Sequence, residues 1–95
     1  MTTQALPDSD LPARLEAEIL RQTGALGPDK TICPSDAARA LAGTHPDNWG
    51  PLMTPIRHIA VRLANEGRLI VTRKGKQVDP NDFRGVYRLG APRSE

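Results

Sequence analysis

Apolar side chains recur at helical spacing in three stretches of this chain, then condense into two short runs rich in β-branched residues. From Leu11 the stripe continues through Leu15, Ile19 and Leu20, while Arg14, Glu18 and Arg21 fall outside it. Asp10 supplies a cap, Pro12 fits the first turn and Gly24 is a natural stop, so a helix is expected over about 11–23. "TIC" reads as extended, because a residue before proline is driven out of the helical region. "PSDAARALAG" reads as a second, short helix buried through Ala37, Ala38 and Leu41, with Asp36 near its positive end and Gly43 closing it. A turn-rich connection, 43–50, follows, and its Trp49 is expected to plug the junction between helices. "LMTPIRHIAVRLANEG" predicts a third helix over about 51–66, in which Pro55 is tolerated only in a first turn or at a bend. "RLIVTR" and "GVYRLG" are then strands, separated by a long loop.

Helix, short strand, helix, helix, strand, strand is the order of a winged helix-turn-helix. The expected class is therefore α+β, with three helices and a small antiparallel sheet whose two late strands form a wing. Residues 1–9 read as a tail, 10–90 as the domain and 91–95 as a C-terminal tail. The 43–50 connection is longer than the tight turn of the simplest DNA readers.

Three blocks carry a resemblance: "ICPSDAARAL" at 32–41, "VRLANEGRLIVTRKGKQVDP" at 61–80 and "GVYRL" at 85–89. In this order and at these separations the chain resembles a small bacterial family of domains of unknown function with a winged-helix-like fold. With the first helix, the resemblance spans most of 11–89. It implies the fold and supplies no activity, cofactor or catalytic residue.

With Ile56 at the centre of the third helix's buried stripe, steps of about 100° gather Leu52, Ile59, Ala60 and Leu63 beside it. The opposite face holds Thr54, His58, Val61 and Asn65, flanked by Arg57 and Arg62. In a winged helix this is the face offered to the major groove, where arginine suits guanine and asparagine suits adenine. "RKGKQ" then lies at the wing tip, where Gly75 permits a tight reversal and Arg73, Lys74 and Lys76 are placed to meet phosphates. Each feature also has a plain reading. Every surface helix has a polar face, and lysines at a hairpin tip keep an exposed edge soluble.

Charge distribution favours the first reading. Residues 1–50 hold four Lys/Arg against seven Asp/Glu, and residues 51–95 hold nine against four, although the whole chain carries only +2. An anionic partner on one side follows from that asymmetry. The length of 95 residues suits one domain without a deep active site. No apolar run reaches membrane length, the start lacks a signal peptide's pattern, and the lone Cys33 excludes an internal disulfide, so a cytoplasmic location is expected.

Cys33, His45 and His58 match no zinc spacing, and Asp79 with Asp82 reads as a turn in which Asp79 caps local amides. Cys33 before Pro34 reads as a small buried hydrophobe. No phosphate loop or nucleophile elbow occurs, so no catalytic residue, metal or cofactor is expected and the chain is not read as an enzyme. The sequence thus points to double-stranded DNA as partner, through Thr54, Arg57, His58, Arg62, Asn65, Arg73, Lys74 and Lys76. A protein partner or a dimer, meeting the Trp49 region, the wing edge or the first helix, is the alternative.

Overall fold

The computed structural model describes residues 11–92. The expected tail 1–9, the expected helix cap Asp10 and the last three residues of the C-terminal tail lie outside them. Helix α1 spans Leu11–Leu26, strand β1 Thr31–Ile32, helix α2 Pro34–Ala42 and the short helix α3 Pro46–Trp49. A 3-10 turn at Gly50–Leu52 leads into α4, Met53–Asn65, followed by β2 at Ile70–Arg73, β3 at Lys76–Gln77 and β4 at Arg88–Gly90. The class is α+β, with three principal helices beside a small antiparallel sheet.

α1 buries Leu15 and Ile19, with Leu11 and Leu20 at the edges of the stripe. It also buries Thr23, a residue the periodicity did not single out. Thr23 is tolerated there because its hydroxyl donates to the Ile19 carbonyl at 3.0 Å. The helix does not stop at Gly24 as expected. Backbone bonding continues to Gly27, whose N–H reaches the Thr23 carbonyl at 3.1 Å.

α2 starts at Pro34, where a missing N–H removes nothing from the helix. The Asp36 carboxylate accepts from the Cys33 N–H at 3.0 Å and from Arg39 at 2.7 Å, which fixes the first turn. Ala37 and Ala38 are fully buried, and their small side chains let α1 and α4 close in. In α4, Pro55 falls in the first turn, where no helical bond is lost. Ile56, Ile59, Ala60 and Leu63 form its buried stripe, as the angular reading anticipated.

The strands lie in the order β1-β4-β2-β3, all pairs antiparallel. Ile32, Leu89 and Val71 stand opposite one another across three strands and face the helices. The two late strands of the sequence reading need correction. The strand expected over 85–90 shortens to Arg88–Gly90 and inserts between β1 and β2 instead of closing a hairpin directly. The hairpin partner of β2 is the two-residue β3, in the register Thr72↔Gln77 and Arg73↔Lys76. Lys74 and Gly75 turn the chain with φ of 52° and 81°, a pair of positive angles whose twist matches a two-residue hairpin.

No helix among the described residues is long and apolar enough to cross a membrane. The core converges on Leu89, which is fully buried at the centre of the sheet. Leu89→Ala should lower stability by about 2–5 kcal/mol in denaturant unfolding, since the surrounding helices and strands cannot all collapse into the space left.

Candidate nucleic-acid interface

Eight residues were singled out as nucleic-acid contacts, and the fold distributes them into three groups. Thr54 and His58 are exposed on α4 and make no side-chain hydrogen bond or ion pair among the described residues. Lys74 and Lys76 are likewise exposed and unpaired, at the tip and on the second strand of the β2–β3 hairpin. The remaining four are engaged with other parts of the chain.

Arg57 is half-buried under the segment 78–87 that joins β3 to β4. Its guanidinium lies 4.0 Å from the Phe83 ring centroid and 5.6 Å from that of Tyr87, and Nη2 donates to the Phe83 carbonyl at 2.7 Å. Phe83 and Tyr87 pack on each other with centroids 5.0 Å apart. Asn65 exchanges two amide hydrogen bonds with Asn81, at 3.0 and 2.9 Å. One flank of α4 is therefore tied to the 78–87 segment at two points.

Arg73 ties the hairpin to the same segment. Its Nε donates to the Val86 carbonyl at 2.8 Å. Its Nη2 lies 2.9 Å from where a Cβ on Gly85 would stand, and Gly85 has φ of +84°. Glycine is favoured there by the backbone angle, and a side chain would also make the Arg73 guanidinium shift. The Asx turn anticipated at Asp79 is also present, its carboxylate accepting from the Asn81 N–H at 2.9 Å.

Arg62 faces the other way, toward α1. It pairs with Glu16 and, at 3.2 Å, with Glu66, while Arg68 reaches the same two carboxylates at 3.2 and 3.4 Å. Hydrogen bonding from Arg62, with Arg68 adding to it, holds Glu16 below the ordinary 4.5 against the opposing effect of desolvation.

Ion pairing is unevenly spread. Arg21, Arg39, Arg62 and Arg68 each meet a carboxylate. From Arg73 to Arg88 no basic side chain meets a carboxylate among the described residues: Arg73 binds a carbonyl, Arg88 binds Thr31 through its hydroxyl and carbonyl at 2.7 and 3.0 Å, and Lys74, Lys76 and Arg84 have no partner among them. Arg14 and Lys30 are also unpaired, on α1 and in the turn before β1. Arg84 escaped the sequence reading because "DPND" just before it marks a turn, and a single basic residue beyond a turn has no periodic signature. Its place in the basic half of the chain was the available signal.

Trp49 packs where it was expected, and Cys33 differs from expectation. Trp49 is half-buried against the core, with Nε1 donating to the Thr44 carbonyl at 3.2 Å and the Arg39 guanidinium 5.4 Å from its ring. Cys33 is only partly buried, because it precedes α2 at its cap instead of lying within an apolar layer. Tyr87 is buried, and its hydroxyl is the one buried side-chain polar atom without a partner among the described residues. Burial pushes its acidity up, with Arg57 acting in the opposite sense, so the phenol stays neutral at ordinary pH.

The chain belongs to the family described as "Protein of unknown function (DUF3253)", whose model matches residues 12–92. No curated protein matches the sequence.

Arg57→Met should keep the aliphatic stem but lose the carbonyl bond and the ring contact. It should lower stability by about 1–2 kcal/mol and raise amide hydrogen exchange across 78–87. Glu16, with its depressed value, stabilises the fold above the ordinary 4.5 and loses that contribution as pH falls through its folded-state value. Unfolding followed against pH should show an acid loss that begins near 4.5 and is shallower in Glu16→Gln.

Proposed function

We propose that the chain is a winged-helix module that binds double-stranded DNA, with the β2–β3 hairpin as the wing. The observation that carries this reading is the sorting of charge. Arg21, Arg39, Arg62 and Arg68 are neutralised by carboxylates, whereas among the described residues the five basic side chains from Arg73 to Arg88 meet none, and outside that stretch only Arg14, Lys30 and Arg57 share that state. The stretch 73–88 holds five basic residues against two acidic ones, Asp79 and Asp82. Such cations have counterions to release and no internal carboxylate to surrender, which is what phosphate binding requires.

The order of elements supports the winged-helix assignment. α2 and α4 stand as the helix-turn-helix pair, and β1 joins the late strands in one sheet. The connection between these helices holds the short helix α3, which makes this turn longer than in the simplest DNA readers. Roles within the proposed interface then divide by chemistry. Lys74 and Lys76, with Arg84, supply phosphate contacts. Thr54 and His58 are the α4 side chains free to meet base edges or the backbone. Arg57, Asn65 and Arg73 hold the 78–87 segment between helix and wing, so they contribute by positioning. Arg62 belongs to the α1–α4 ion-pair network and is the weakest member of the set.

The balance of two free side chains on the helix against three free cations around the wing favours affinity without sharp sequence preference. Fluorescence anisotropy with a mixed-sequence duplex should detect binding at low salt that weakens as salt rises. In Lys74→Ala/Lys76→Ala the slope of log K against log salt should fall by about 2, with little change in thermal stability. Absence of binding at about 20 mM salt, or an unchanged slope in the double variant, would remove the proposal.

A further inference from the structure

Two hollows on the described surface differ in chemistry. An apolar groove of about 320 Å³ lies where α3, the start of α4 and the 85–87 segment meet, with Trp49, Met53 and Gly85 in its walls and Val86 at its rim. No charged side chain lines it, and nothing in it selects an occupant. The other hollow, of about 300 Å³, lies on the outer face of the sheet and is lined mainly by polar side chains. Because Ile32, Val71 and Leu89 face the helices, their strand neighbours Thr31, Ile70, Thr72 and Arg88 stand on the opposite face. These four and Gln77 form its floor. The turn before β1, through Pro28 and Asp29, and the hairpin turn at Gly75 form its walls.

Three polar side chains cross this floor in one line. Thr72 stands directly opposite Arg88 on one side and Gln77 on the other, so all three share a face on adjacent strands. Thr72 is only 9% exposed, and its hydroxyl has no hydrogen-bond partner among the described residues. Unlike the Tyr87 hydroxyl it is not sealed off, so it opens into the hollow. A sheltered hydroxyl in that state is completed by whatever occupies the space beside it. Arg88 meets no carboxylate among the described residues. Thr31 holds its guanidinium instead, through Nε at 2.7 Å and Nη2 at 3.0 Å, which leaves three of its five N–H groups to donate. Gln77 is exposed, and its amide is also without a partner among the described residues. Opposed residues have Cβ atoms about 5 Å apart, so one tetrahedral oxyanion can meet donors from all three. Lys76, next to Gln77, adds positive potential.

We infer that the hollow on the outer face of the sheet binds a small sugar phosphate, its phosphate accepting from Arg88, Thr72 and Gln77. A guanidinium already held in place by Thr31 suits a phosphate, because its planar fork matches two oxygens at once. The volume is at the small end of ligand sites and exceeds what a bare phosphate fills. Ile70 and Pro28 offer apolar surface to a carbon skeleton. Asp29 accepts from a ligand hydroxyl in addition to the interaction it already makes, and its charge disfavours a second phosphate at that end. Lys74, Lys76 and Arg84, assigned above to duplex phosphates, do not line the hollow, so the site stands whether or not the chain binds DNA.

Ribose 5-phosphate, added to the full chain up to about 20 mM at constant ionic strength, should shift the amide NMR signals of Thr72, Gln77 and Arg88 saturably. Ribose should give no response, and inorganic phosphate should bind about tenfold more weakly than the sugar phosphate. Thr72→Val keeps the shape and the strand preference and removes only the hydroxyl. It should fold as the wild type does and bind ribose 5-phosphate about tenfold more weakly. Arg88→Gln should lose saturable binding, with amide signals outside the sheet unmoved to show that the fold is kept. Three results would each overturn the inference: no saturable shift with ribose 5-phosphate, inorganic phosphate bound as tightly as the sugar phosphate, or wild-type affinity in Thr72→Val. A mixed-sequence duplex supplies the last arm. If it shifts the same three amides, and Arg88→Gln lowers its salt slope by about 1, the phosphate held there belongs to the duplex backbone and the small-molecule reading fails.

Discussion

Carbonyl groups of the segment 78–87 set the central constraint on this molecule. The segment lies between the short strand β3 and the central strand β4 and has no regular structure to satisfy its own backbone. Two arginines from elsewhere supply donors, Arg57 from α4 to Phe83 and Arg73 from β2 to Val86, while Asn65 secures Asn81. With these clamps in place Phe83 and Tyr87 turn inward, and the chain arrives in register to lay Arg88–Gly90 between β1 and β2. Without them the central strand would be reached by a loop with no fixed course. Arginine suits this task because its planar fork serves a carbonyl and stacks on an aromatic face at once, which a lysine cannot do.

Helices were legible because their signal is local and periodic. The stripe of Ile56, Ile59, Ala60 and Leu63 follows from spacing alone, as do Leu15 and Ile19. Boundaries were less so. Gly24 looked like a stop, but backbone hydrogen bonding carries on to Gly27. Of the two-residue strands, β1 was legible from the proline that follows it, and β3 was not. Lys76–Gln77 is polar and exposed on both residues, so it exists as a strand only through pairing with β2. Turn chemistry, by contrast, was visible in Gly75 and in Asp79, whose roles depend on neighbours one or two residues away.

For the candidate site, residue types were legible and their employment was not. A helical wheel places Arg57, Arg62 and Asn65 on the polar side of α4, and they are there. It cannot show that Phe83, Glu16 and Asn81, distant in the chain, have claimed them. Lysines on a hairpin tip have no such competitors within reach, so Lys74 and Lys76 stayed as the sequence suggested. Exposure and ion pairing depend on tertiary placement, and only those two properties separate a cation that holds the fold from one offered to solvent.

Gly85 joins the two surfaces discussed here. It contributes to the wall of the apolar groove, and the Arg73 guanidinium occupies the space a side chain would need. Val86, next in sequence, gives its side chain to the groove rim and its carbonyl to Arg73. Arg73 is the last residue of β2, immediately before the Lys74–Gly75 turn. A body seated against Val86 therefore presses on the same peptide unit that anchors the base of the hairpin. One peptide unit thus serves both the groove rim and the base of the hairpin, through a carbonyl and the arginine that binds it.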